Sequence, residues 1–318
     1  LVLLVPSAHA FWRLPCTKPV IDAVIDPIVS PGRQSSHGHT IMGGSNIGLS
    51  STFKDMVASD CTTCKVNDDK SAYWIPQLYY EFSNKTYASV DHGGMLVYYL
   101  QRGGSNETIK AFPDGLRMLA GNPYLRNNTN TVESSAISCI DYNVPHSETP
   151  GFDVTTCPDG LRAQVFFPSC WDGVNLDSSD HKSHMAYPSG MNNGYCPSSH
   201  PVHLISIFYE VYFSVDPFNK LNNGGRFVLA NGDPTGYGLH GDFLNGWNSD
   251  VLQRAVDTCT NNSGVLEDCG VFQNEGRIIP DSTANQCSAK DPVGVKVDGS
   301  MPYLPACVAV TEGPSPAS

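Results

Sequence analysis

The strongest strand signal in the chain is "PVHLISIFYEVYFSV", residues 201–215. In an extended backbone successive side chains point to opposite sides. Val202, Leu204, Ser206, Phe208, Glu210, Tyr212 and Ser214 therefore share one face, and His203, Ile205, Ile207, Tyr209, Val211 and Phe213 the other. One face is almost wholly apolar and the other is mixed, which predicts a central strand between two layers. "GMLVYYLQR" (94–102), "RAQVFFPSCW" (162–171) and "GRFVLANGD" (225–233) read as further strands. Turn chemistry is dense between them: Pro113-Asp114-Gly115, Pro158-Asp159-Gly160, Asn193-Gly194 and Asn223-Gly224-Gly225. The best helix signal is "NSDVLQRAVDTC" (248–259), with Ser249 as the cap and Val251, Leu252, Ala255 and Val256 as the apolar stripe. The pattern predicts a mainly β protein, an antiparallel β-sandwich or jelly-roll-like domain with long loops and few short helices.

Composition narrows the setting. The 318 residues suffice for one large domain, and no apolar run is long enough to span a membrane. Charged residues make up 16% and the net charge is −12. That balance excludes nucleic acid as a partner and disfavours anionic membrane surfaces. The opening "LVLLVPSAHAFWRLPC" ends an apolar run in Ala8-His9-Ala10, so residues 1–10 read as the remnant of a secretory signal peptide. Residues 11–310 read as a single β-rich domain, and 311–318, containing "EGPSPAS", as the start of a Pro/Ser-rich linker or tail. Sequons at Asn84, Asn106, Asn127 and Asn261 are candidate glycosylation sites. Eleven cysteines in an oxidising compartment predict five disulfides and one leftover thiol. Cys61-Thr62-Thr63-Cys64 lacks a second C-x-x-C and a thioredoxin-like context, so disulfide use is expected there too. The expected location is extracellular or cell-wall-associated, and the expected state a monomer.

Three polar groups carry candidate chemistry. In His37-Gly38-His39, residues i and i+2 of an extended segment can reach one ion. "WDGVNLDSSDHKSHMAYPSG" (171–190) crowds Asp172, Asp177, Asp180, His181 and His184 into a loop. "GDPTGYGLHGDFLNGW" (232–247) places His240 and Asp242 two apart among glycines, with Tyr237 and Trp247 as stacking surface and Phe243 as core. The metal set read from these is His37, His39, His184 and His240, for copper or zinc. Asp242, His181 and Asp180 are the candidate proton carriers. Tyr237, Trp247, Trp171, Arg117 and Arg162 are the candidate substrate contacts, the two arginines because "PDGLR" occurs twice, at 113–117 and 158–162. His92, His146, His200 and His203 read as structural or supporting. No nucleophile elbow, zincin motif, P-loop or dinucleotide fingerprint occurs. Asp172, Asp180, Asp233, Asp242 and Glu210 would supply any glycosidase-type carboxylate pair.

The ordered motifs "DPIVSPG", "SSHGHTIMGGSN", "FPDGLRMLAGNP", "CPDGLR", "FPSCWDGVNLDSSDHKSHMAYP", "CPSSHPV" and "GYGLHGDFLNGW" resemble the fungal secreted family catalogued as domain of unknown function nineteen-ninety-six, over about residues 24 to 260. The resemblance implies a secreted fungal protein and no settled chemistry. Its motif positions here are His37, His39, Trp171, Asp172, Asp180, His181, His184, His200, His240 and Asp242. The reading that results is a metal-dependent enzyme acting on fungal or plant cell-wall polysaccharide or oligosaccharide. The alternatives are a non-catalytic glycan-binding or wall-associated protein and a carboxylate-based glycoside hydrolase.

Overall fold

The computed structural model describes residues 11–128, 134–144, 147–152, 157–219 and 224–317. Residues 1–10 and His146 lie outside these, so the signal-peptide reading and that histidine receive no structural account.

Two antiparallel five-stranded sheets form the body. The first runs in the order Phe11–Cys16, His92–Leu100, Ser206–Phe213, Gly160–Phe166, Ser135–Ile140. The strand from the 201–215 run is its centre, as the pattern predicts. It is shorter than the run, because Leu204 and Ile205 turn their backbone N–H groups to Ser169 and Lys110. Val202–His203 then pairs separately with Cys170–Trp171. The second sheet runs Ile21–Ala23, His39–Gly43, Ala72–Pro76, His240–Leu244, Arg117–Gly121.

The facing sides of the sheets share one core. Ile207, Tyr209, Val211 and Phe213 of the first sheet meet Met42, Tyr73, Ile75 and Phe243 of the second. Tyr73 and Tyr209 stand edge to face with ring centroids 5.7 Å apart. This is a β-sandwich. The far side of the second sheet is also covered: Ile41, Trp74 and Leu244 pack against Val20, Ile25, Ile28, Ile47 and Met56. Smaller sheets of four and three strands complete the domain. Gly43 has φ +110°, and a Cβ there would sit 1.8 Å from the Ser71 carbonyl oxygen, so only glycine lets the strand His39–Gly43 lie this close to its neighbour.

The expected helix forms as Ser249–Thr258 and buries Val251, Leu252, Ala255 and Val256. Its cap is Asn248, not Ser249: the Asn248 side chain accepts from the Val251 N–H, while the Ser249 hydroxyl is given to Asp114. The five disulfides are Cys16–Cys64, Cys61–Cys287, Cys139–Cys157, Cys170–Cys196 and Cys259–Cys269, and Cys307 is free and exposed. Cys61 and Cys64 thus join different partners and form no redox pair. Trp247, expected as stacking surface, is fully buried and donates to the Tyr99 hydroxyl at 2.7 Å. No described helix is long and apolar enough to cross a membrane.

Candidate metal centre

Sheet register explains why two distant histidines meet. Ile41 and Asp242 both lie opposite Trp74, on either side of the strand Ala72–Pro76. His39 and His240 are each two residues earlier on their strands. They therefore share one face at one end of the sheet, across that central strand. His37 reaches the same point from the segment just before its strand, and its ring lies 4.3 Å from that of His39. A ring nitrogen from each of His37, His39 and His240 lies within 4.8 Å of the other two.

Hydrogen bonds select the tautomers. His39 Nδ1 donates to the Ile25 carbonyl at 3.0 Å and His240 Nδ1 to the Gly238 carbonyl at 2.8 Å. Both rings then carry their lone pair on Nε2, the state a metal ligand needs. His39 Nε2 is buried without a partner. His37 Nε2 is 3.1 Å from His240 Nε2, and His37 Nδ1 is 3.0 Å from the Ser36 hydroxyl, whose oxygen can accept from Nδ1–H in the tautomer that frees Nε2 for an ion.

Electrostatics keep the trio neutral. Burial, and then its two neighbours, hold His37 well below the usual imidazole range. Burial lowers His39 to about 4 and, aided by His39, lowers His240 to about 3. A metal at neutral pH would displace no proton from these rings. The same shifts predict acid sensitivity. In the unfolded chain these histidines protonate near 6.5, and in the folded chain only well below that. The unfolded state thus binds more protons as pH falls, and stability present above about 6.5 is lost on acidification. The raised carboxyls of Asp242, Asp26 and Asp69 act in the opposite sense, so the histidine contribution is read as a difference: between pH 7 and pH 5 native metal-free protein is expected to lose about 2 kcal/mol more than a His39→Gln variant. Denaturant titrations of both proteins at both pH values check this.

Beside the trio, Asp242 is 1% exposed and neither carboxylate oxygen has a hydrogen-bond partner. Burial and then the Asp26 charge push its pKa well above the usual carboxylate range, while Lys182 opposes the shift. Asp26 itself accepts from the Ile28 and Val29 N–H groups. His37, His240, Asp242, Asp26, His181 and Lys182 line one cleft of about 380 Å³. Asn231 also lines it, and its side-chain Oδ1 is a buried acceptor with no partner.

These features fall within a recognisable sequence unit. The profile of a domain of unknown function, DUF1996, matches residues 26–247. The chain belongs to the DUF1996 family. No curated protein and no solved structure matches it. The matched DUF1996 span contains His37, His39, His240 and Asp242.

Other sequence candidates lie elsewhere or are otherwise engaged. His184 does not join the trio: its Nδ1 meets the Ser178 hydroxyl and its Nε2 the Arg117 carbonyl, both at 2.8 Å, so neither nitrogen is left for an ion. His181 does line the cleft, at φ +57°, with Nδ1 held by Asp177 at 2.7 Å. Asp180 organises its own loop. It accepts from the Lys182 and Ser183 N–H groups and the Ser178 and Ser183 hydroxyls, which hold it well below its ordinary value and make it a poor proton carrier. Arg117 sits by Asp177 at 3.7 Å, and Arg162 pairs with Glu148 and Glu210 on the other sheet, so the two "PDGLR" arginines share no cleft. Trp171 is half-buried with its Nε1 on the Asn175 carbonyl, and Tyr237 is half-buried; neither lines the cleft. Asp172 caps a turn through Val174 and Asn175, and Asp233 serves Thr235, Gly238 and Arg126. Of the five candidate carboxylates, Asp180 and Asp242 line the cleft, and only Asp242 lacks a hydrogen-bond partner.

Among the described residues one other trio stands close enough to hold an ion, Cys170, Cys196 and His203, whose cysteines are joined as a disulfide. Sequence reading missed Asp26, Lys182 and Asn231. Asp26 and Lys182 lay within quoted motifs without a role, and Asn231 fell inside a stretch read as a strand. Asn84, Asn106 and Asn261 are exposed, as sequons need to be.

Proposed function

We infer that the protein is a secreted metal-dependent enzyme whose His37, His39 and His240 hold a copper or zinc ion, and that it acts on the ends of cell-wall polysaccharide or oligosaccharide. One observation carries the reading. Three neutral imidazoles converge beside Asp242, and the buried Nε2 of His39 and both Asp242 oxygens lack the partners that buried polar atoms ordinarily have. Three protein ligands with an open position is the arrangement of catalytic rather than structural zinc. A bound ion would supply Lewis acidity and a polarised water. Asp242 is placed to accept a proton and Lys182 to offset negative charge. His181, steadied by Asp177, lines the same cleft and can move a second proton. The orphan acceptors on Asp242 and Asn231 call for hydroxyl donors, and exposed Tyr124 offers a ring face among the lining residues. Those are the features a small polyhydroxylated end group would use. The five disulfides fit an extracellular setting.

The test is a panel of cell-wall oligosaccharides incubated with zinc-loaded, copper-loaded and chelated protein, the copper arm with a reductant. Product release is expected with one loaded form and is lost on chelation. Asp242→Asn is expected to retain the ion and lower turnover by about 100-fold or more, the scale of losing a positioned base. Glycan binding without products would instead favour the binding reading.

A further inference from the structure

We propose that residues 308–317 form a strap that controls access to the metal cleft and restricts it to ligands presenting a narrow end. This rests on the same cleft being the functional one, but not on an ion being bound. The stretch read from sequence as the start of a linker lies against the domain. Val308 and Ala317, at its two ends, both line the cleft.

The strap is fastened by polar contacts to the residues that build the cleft. Arg126, 2% exposed, donates through Nε to the Thr311 carbonyl and hydroxyl, each at 3.0 Å. Its other nitrogens donate to the carbonyls of Pro123, Leu125 and Asn231. One buried guanidinium thus ties the strap to two stretches of the wall. Thr311 N–H donates to the Gly232 carbonyl at 3.0 Å and Ala317 N–H to the Tyr124 carbonyl at 2.9 Å. Arg226 forms a forked pair with Glu312 at 2.6 and 3.1 Å.

The outward side is of a different kind. Half-buried Val308 and Val310 pack against the small apolar cluster that includes Val228, Met301 and Leu304, but Glu312 to Pro316 are exposed, so little further apolar area opposes detachment. Segments held by few buried apolar contacts open locally at a fraction of the global unfolding free energy. A pivot is present at the near end. Leu304 is buried and fixed, while Ala306 and Cys307 both take positive φ, at +60° and +57°, a strained conformation for residues other than glycine. Beyond the pivot the apolar contact is confined to half-buried Val308 and Val310 and the rest of the fastening is polar, so the strap can lift without disturbing the sandwich. While it is down, Val308 and Ala317 narrow the cleft, so the end of a chain reaches the histidines more readily than its middle.

The experiment labels histidines of metal-free protein with diethyl pyrocarbonate and reads each site by peptide mass spectrometry. Three forms are compared: the native chain, a variant ending at Cys307, and Ala317→Trp. Labelling of His37 and His240 is expected to accelerate several-fold in the shortened variant and to slow in Ala317→Trp. His200, outside the cleft, serves as the internal reference and should not change. Ala317→Trp keeps every strap bond, so it tests the idea even if the shortened chain folds poorly. Equal His37 and His240 rates in native and Ala317→Trp protein would overturn the proposal. Because no ion is used, failure of metal binding elsewhere would leave this result standing.

Discussion

Replacing His39 by alanine is expected to abolish measurable metal binding while the sandwich stays folded. Losing an outer partner of a metal ligand typically costs 10- to 100-fold in affinity, so losing a ligand outright should exceed about 100-fold. His39 is the sharpest choice because its Nε2 has nothing else to do: it is buried, unprotonated and unpartnered. His184→Ala is the informative contrast. Both its ring nitrogens are committed to Ser178 and Arg117, so its removal should leave metal affinity unchanged and lower stability by about 2 kcal/mol. Isothermal titration with zinc and copper, alongside denaturant melts of each variant, separates the two roles. Equal affinity loss in both variants would mean that the trio is not the site.

Asp69→Asn is expected to cost about 3 kcal/mol of stability, although it changes one atom. Asp69 is fully buried, and burial raises its pKa to about 6. Its carboxylate accepts from the Ser71 N–H at 2.9 Å and from the Tyr73 hydroxyl at 2.5 Å. Tyr73 and Tyr99 hydroxyls are 2.6 Å apart, and Trp247 Nε1 donates to Tyr99 at 2.7 Å. Indole can only donate and carboxylate can only accept, so every proton in this chain runs from Trp247 toward Asp69. An asparagine must keep its oxygen on Ser71, which turns its NH₂ toward Tyr73. Tyr73 then donates to Tyr99, whose own proton has no place to go. Urea melts should show the loss in midpoint without a change in slope. A cost below about 1 kcal/mol would show that the network tolerates either polarity.

What the sequence revealed follows from what is local. Strict alternation through Ile207, Tyr209, Val211 and Phe213 identified a central strand because period two is written into adjacent residues. His37 and His39 were legible as a pair for the same reason, and His240 with Asp242 likewise. That these two pairs meet depends on register across the strand Ala72–Pro76, which no local pattern encodes. His184 carried the right residue type in a polar segment, but its partners, the Ser178 hydroxyl and the Arg117 carbonyl, were set by loop closure. Trp247 was misjudged because its glycine-rich surroundings suggested a loop at a ligand, whereas its Nε1 completes the buried chain to Asp69. Arg126 gave no signal at all, since its partners are almost entirely backbone carbonyls.

The most direct measurement is X-ray absorption at the metal edge of protein loaded with one equivalent of zinc, and separately of copper. The expected first shell is three imidazole nitrogens at about 2.0–2.1 Å plus a light-atom ligand, with the imidazole signal reduced in His39→Ala. A shell dominated by sulfur or carboxylate oxygen, or no retained ion in the native protein, would contradict it.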